Sequence, residues 1–155
     1  MPRSRLVVAI TLLGLLGCGA QERSADFAVP GSDLVLEVGL EHGHLYLAEY
    51  ARTLTIKSGG EVIASEKLYF DTGGYARVNV YRLDPVRLLL STEGDYDYVL
   101  EQPSKTLSRT PVKNHERPTG AKYVGAFDWS APGVWQFVRA SDRDEIPIGA
   151  FGPHG

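Results

Sequence analysis

The chain is short of the residues that most enzymes and small secreted domains rely on. It has one cysteine in 155 residues, so no disulfide can form within the chain. A cysteine-free exported domain must hold together through its apolar core, where many small secreted domains use disulfides. Histidines number four, and Gly-x-Ser-x-Gly elbows and clusters with metal-ligand spacing are missing. That leaves nucleophilic hydrolysis and metal catalysis without a visible residue set. No apolar run reaches the 18 or so residues that a spanning helix needs. No segment sustains helical periodicity either. Positive charge is also lacking: the formal net charge is −3. Nucleic-acid binders are basic and carry that charge on one face, so this class is excluded as a partner.

What is present begins at the N-terminus. Arg3 and Arg5 precede an eleven-residue apolar stretch from Leu6 to Leu16, followed by Gly17 and Cys18. As a helix that stretch would rise ~16 Å, about half of a bilayer core, which is the length of a signal-peptide core. Leu15-Leu16-Gly17-Cys18 resembles the lipobox of bacterial lipoprotein precursors, a resemblance confined to residues 1–18. It implies removal of residues 1–17, a diacylglycerol on the Cys18 thiol and an acyl chain, such as palmitate, on the new amine. No other cofactor is expected. Two or more chains give a stable anchor, since each buried methylene contributes ~0.8 kcal/mol. By the sorting rule of enterobacterial lipoproteins, Gly19 after the cysteine favours the outer membrane in a Gram-negative source, with the domain facing the periplasm.

Beyond the anchor, residues 18–32 contain few large apolar side chains and include Pro30-Gly31, which predicts a membrane tether. Residues 33–140 read as one β domain. Short apolar runs alternate with turn signals such as Ser58-Gly59-Gly60-Glu61, Asp84-Pro85 and Glu93-Gly94-Asp95. The spacing predicts an all-β sandwich or barrel of about eight or nine short, mostly antiparallel strands. Charge is uneven along it: residues 18–102 hold 14 acids against 7 Lys and Arg, whereas 103–122 hold five basic residues against Glu116 alone. The Pro-rich stretch 103–120 therefore reads as an irregular basic connector. After it, Tyr123 to Trp129 and Val134 to Val138 form an aromatic hairpin across Pro132-Gly133. An odd loop would pair Trp129 with Trp135 and Phe127 with Phe137 on one face; an even loop would split them. Residues 141–155 read as a flexible tail.

Three groups of residues carry candidate chemistry. Asp71-Thr72-Gly73, after Leu68-Tyr69-Phe70, resembles the catalytic motif of retroviral-type aspartic proteases. The resemblance implies Asp71 as a catalytic carboxylate sharing a proton with a partner. Gly74 departs from the family's Ala or Ser, and a plain β turn explains the same residues. His42 and His44 would face one way on a strand and are the only candidate metal pair, otherwise a solvated hairpin tip. Asp95 and Asp97 share a strand face in the same way. The aromatic hairpin is expected to fill the core, and any exposed part would serve as a binding surface with Trp129 and Trp135 as anchors. Arg109, Lys113 and Arg117 would then steer an acidic or phosphorylated partner. The expectation is a lipid-anchored, non-catalytic protein-binding module, either an assembly accessory or an inhibitor or immunity-type blocker of an envelope-acting enzyme. The alternative is an aspartic protease using Asp71, or another envelope hydrolase.

Overall fold

The computed structural model describes residues 22–43, 49–71, 76–112 and 117–150. Ten strands and no helix make up these residues. They are β1 (Arg23–Ala28), β2 (Leu34–His42), β3 (Tyr50–Ser58), β4 (Glu61–Lys67), β5 (Val78–Asp84), β6 (Arg87–Thr92), β7 (Tyr96–Glu101), β8 (Thr106–Pro111), β9 (Lys122–Ala131) and β10 (Val134–Arg139). Every pairing is antiparallel. The first four form a meander, β1-β2-β3-β4; the other six form a sheet in the order β10-β9-β5-β6-β7-β8. The two sheets pack face to face as a sandwich, in keeping with the all-β expectation and one or two strands richer than expected.

Alternation decides which side of each strand faces inward. In β2, Leu34, Leu36, Val38 and Leu40 point into the core; in β3, Leu54 and Ile56 join them. From the six-stranded sheet come Val78, Val80, Leu88, Leu90, Tyr98, Leu100 and Phe127. The hairpin takes the odd-loop register: Trp135 lies opposite Trp129 and Phe137 opposite Phe127. All four rings enter the core, with Phe137 also stacked on Phe27 of β1 at 4.1 Å between centroids. Trp135 Nε1 donates to the Val38 carbonyl at 3.0 Å, joining the sheets. At the opposite edge, Arg109 of β8 pairs with Glu66 of β4, and Lys105 Nζ reaches Asp33 Oδ2 at 2.9 Å and Ser58 Oγ at 2.7 Å.

Three segment boundaries differ from the sequence expectation. The expected tether contains β1, whose Ala25 and Phe27 alternate inward and whose six residues all pair with β2. The connector contains β8, a polar edge strand in register with β7 from Thr106 to Pro111. The supposed tail is tied down as far as Ala150 on the outer face of β5. Tyr81 Oη donates to Glu145 Oε1 at 2.8 Å, Asn79 Nδ2 to Ile146 O at 2.9 Å, and Arg77 Nη1 to Pro147 O and Ala150 O. Behind this segment Asp128 is buried and accepts from Arg77 Nε at 2.8 Å, Arg143 Nη2 at 2.5 Å and the Trp129 backbone N–H. Such a carboxylate is tolerable away from water because paired donors replace its hydration.

Candidate interaction surfaces

The two outer faces of the sandwich are treated differently by the chain. The six-stranded sheet has a small second core on its outer side, formed by Tyr81, Leu89 and Ala121 with Leu83, Val99 and Tyr123 against it. Residues 117–121 and 141–150 cross this region, joined by Arg117 to Glu145 at 3.1 Å. Burial there pushes the Tyr123 phenol up to about 12 and the Tyr81 phenol higher still, the Glu145 hydrogen bond adding to the second shift. Both stay protonated and neutral at any physiological pH.

The outer face of the four-stranded sheet is left bare: among the described residues no segment lies over it. Its strands present Ser24, Glu37, Gly39, Glu41, Ala51, Thr53 and Thr55 to a shallow trough of about 440 Å³. Small side chains in the middle bring the backbone of β2 and β3 close to the surface, and longer ones flank it. The charge is acidic on balance, with Glu22, Glu37 and Glu41 against Arg23. Lys57 Nζ is held by Glu37 Oε2 at 2.5 Å, while burial and the neighbouring Glu37 raise the Asp26 carboxyl above its ordinary value. Like charges crowded on one sheet face would gain from a cationic partner.

One end of the sandwich, called here the upper end, gathers the connections β2–β3, β4–β5, β6–β7 and β9–β10. Two close approaches shape it. Gly94, at φ +128°, leaves room for Tyr69; a Cβ there would stand 2.6 Å from that of Tyr69. Gly43 lies under the Phe70 ring, which a Cβ would meet at 2.3 Å. Beneath them the Arg52 guanidinium is buried and acts as a clamp. Its Nε and Nη2 donate to Tyr69 O at 3.1 and 2.7 Å, and Nη1 to Ala76 O at 3.2 Å and Thr92 Oγ1 at 2.8 Å. Desolvation lowers its pKa, and the charges of Asp71 and Glu93 partly restore it. The result is a rim on which Tyr69, Phe70 and Tyr96 are exposed.

The expected site residues fall as follows. Trp129 and Trp135 are each 7% exposed, so the residues named as anchors for any exposed part of the hairpin lie in the core, packed on each other, with Tyr50 and the Arg23 guanidinium against Trp129. Arg109 and Arg117 are half-exposed, yet each is committed to an internal ion pair, with Glu66 and Glu145. Lys113, His44 and Cys18 lie outside the described residues. Asp71 is fully buried, and its backbone pairs with Tyr50 in both directions at 3.1 Å. The structure therefore does not gather Arg109, Arg117 and the two tryptophans into one surface. His42 sits on the Tyr50 ring at 4.7 Å, and no group of three His, Cys, Asp or Glu able to hold a metal occurs among the described residues. Asp97 Oδ1 accepts the Thr92 N–H at 3.4 Å, whereas Asp95 is exposed.

Sequence reasoning missed Arg52, the Arg77–Asp128–Arg143 cluster and the exposed rim. The glycine of Glu93-Gly94-Asp95 was a readable turn, but nothing local linked it to Tyr69. Comparison with protein families, curated proteins and solved structures gave no match.

Proposed function

We propose that the protein is an envelope lipoprotein, anchored through acylated Cys18, whose β domain binds another envelope protein without catalysis. The observation that carries this reading is the unequal covering of the two outer faces. The chain lays a third layer over the six-stranded sheet and leaves the four-stranded one bare, acidic and lined with small residues. A rigid, two-sheet frame holds that face without loops of its own. The partner it fits presents a basic, extended or flat segment, so charge complementarity would set register and encounter rate. This replaces the acidic partner expected from Arg109, Lys113 and Arg117, whose described members are already paired within the domain. An inhibitor or immunity-type blocker needs one fixed face of this sort, and so does an assembly accessory.

The test is capture from envelope extracts by the anchored protein. Thr53→Arg fills the trough and adds a positive charge to it without touching the core, because the Thr53 side chain lies on the outer face. Loss of the captured protein in Thr53→Arg and in Glu41→Lys is expected. An unchanged captured set in both variants would refute the reading. Casein cleavage at mildly acidic pH, present in the wild type and absent in Asp71→Asn, would establish the protease alternative instead.

A further inference from the structure

The first strand of the sandwich starts much closer to Cys18 than a tether reaching residue 32 would allow. Only five peptide steps separate Cys18 from Arg23, the first residue of β1. Fully extended, they span at most ~17 Å. Arg23 lies opposite Leu40, near the C-terminal end of β2, so the chain enters the domain at its upper end. A lipid on Cys18 would therefore hold this end of the sandwich within one short segment of the bilayer.

That end is also where the exposed rings are. Among the described residues, the exposed large apolar side chains include three aromatic ones, Tyr69 (55%), Phe70 (39%) and Tyr96 (46%), and all three belong to the upper end. Of the described residues, the large apolar side chains exposed in the far half are the aliphatic Val62, Ile63 and Val86. Amphipathic rings collect at the membrane–water interface, where an apolar body and a polar tip can both be accommodated. The rings are also held in place: Arg52 fixes the Tyr69 carbonyl from inside, and Gly94 and Gly43 give Tyr69 and Phe70 their seats.

We infer that the upper end, through Tyr69, Phe70 and Tyr96, is a second membrane contact that stands the domain end-on against the bilayer carrying its lipid. The inference rests on the lipoprotein reading above. The surface it meets is a neutral one. Glu22, Glu41 and Asp95 are exposed at this end and outnumber Lys67, the exposed cation beside Tyr69 and Tyr96; Arg109 and Arg23 are engaged by Glu66 and by the Trp129 ring. Anionic lipid is repelled by these acids, so recognition comes from the rings and is insensitive to salt.

The experiment uses the mature, acylated chain in protein-free vesicles of zwitterionic phosphatidylcholine and phosphatidylethanolamine. An environment-sensitive dye is placed on Asp95→Cys beside the rim, or on Glu61→Cys at the far end; an acylated Cys18 cannot take the dye. The expected result is a blue-shifted dye at 95, quenched by headgroup nitroxide lipids, and an unshifted, unquenched dye at 61. Serine at 69, 70 and 96 together, all exposed positions, should abolish the shift at 95, and anionic phosphatidylglycerol should diminish it. A chain whose Cys18 carries no acyl group by mass spectrometry overturns both the lipoprotein reading and this inference. An acylated chain whose dye at 95 is as water-exposed as at 61 overturns the inference alone. So does shielding at 95 that arises only in native envelope membranes, which would make a protein the occupant of the rim.

Discussion

Replacing Arg52 by methionine tests whether one buried cation organises the upper end. Methionine keeps the aliphatic stem that packs in the core and removes the guanidinium. Two buried carbonyls, Tyr69 O and Ala76 O, and the Thr92 hydroxyl then lose their donor. A buried polar group left without a partner costs about 1–3 kcal/mol. Loss of the positive charge also removes the favourable Coulombic influence that Arg52 and Asp71 exert on each other. The contributions overlap, because relaxation that helps one group helps its neighbours, and a total near ~4 kcal/mol is expected. A domain of ordinary stability, about 5–15 kcal/mol, would remain folded but much weakened. With a urea slope of about 2 kcal/mol/M, the unfolding midpoint should fall by about 2 M at unchanged slope. Hydrogen exchange gives a local readout: the Asp71 amide, bonded to Tyr50 O at 3.1 Å, should lose protection before the centre of β3 does. Arg52→Lys keeps the charge without the planar fork and should recover only part of the loss. A deficit below ~1 kcal/mol in Arg52→Met, or a lysine variant as stable as wild type, would refute the clamp argument.

Other expectations follow from the same geometry. Gly125 sits at a break in register between β9 and β5 with φ +151°, and a Cβ would lie 2.4 Å from the Val138 carbonyl. Gly125→Ala should therefore lose ~3 kcal/mol or more in denaturant unfolding, and a neutral result would contradict the close approach. The raised Tyr81 and Tyr123 phenols hold protons that the unfolded chain releases above about pH 10. Stability should thus fall as pH rises from there, with phenolate absorbance at these two positions emerging together with unfolding; free titration of all tyrosines near 10 would be the contrary result. The Asp26 carboxyl, raised by burial and by Glu37, favours its protonated form in the folded state, so it opposes folding above its ordinary value and not below it. Asp26→Asn should unfold at higher temperature than wild type at pH 7, and the difference should vanish below pH 3.8. Ending the chain at Ala140 removes Arg143 and the carbonyls that receive Arg77, and should leave a folded but measurably less stable domain; an unaffected melting temperature would restore the loose-tail expectation.

Local pattern was enough for much of the sandwich. Gly59 and Gly60 take positive φ between β3 and β4, as the Ser58-Gly59-Gly60-Glu61 sequence implied. The hairpin around Pro132-Gly133 was legible but its register was open between an odd and an even loop; the structure takes the odd one, and a period of two then puts both ring pairs on one face. The strands that escaped notice are both sheet edges. β1 has only Ala25 and Phe27 to show for its inward side, and β8 offers Leu107 among Thr, Ser and Arg. Edge strands need to be apolar on one side only and are kept polar elsewhere, which erases the signal. The buried charges were invisible for a different reason. Arg77 meets Asp128 across 51 residues, and Arg52 meets Thr92 across 40, so neither has a local signature. Trp129 and Trp135 fill the core as expected of the aromatic hairpin, so the anchor role reserved for an exposed part of it falls away.

The position of β1 alters the meaning of the other features. With a long tether the sandwich could tumble freely, and any patch on it could meet the membrane or a partner. If Cys18 carries lipid as proposed, five peptide steps remove most of that freedom and bind two otherwise separate observations together. If the upper end rests on the bilayer, the strands stand roughly along its normal. The bare face of the four-stranded sheet then points sideways into the periplasm, and the layered face points the opposite way. A partner in the same envelope would meet Thr53 and Thr55 at a fixed height above the lipid, set by the strand rise of ~3.3 Å per residue. Such an orientation restricts encounter to one direction and height, an advantage in effective concentration that depends on linker length more than on contact area. Lengthening the segment before Arg23 by ten Gly/Ser residues should leave Cys18 acylation intact while weakening capture by the anchored protein. Capture that is indifferent to this insertion would separate the partner face from the membrane and show that the short tether contributes nothing to binding.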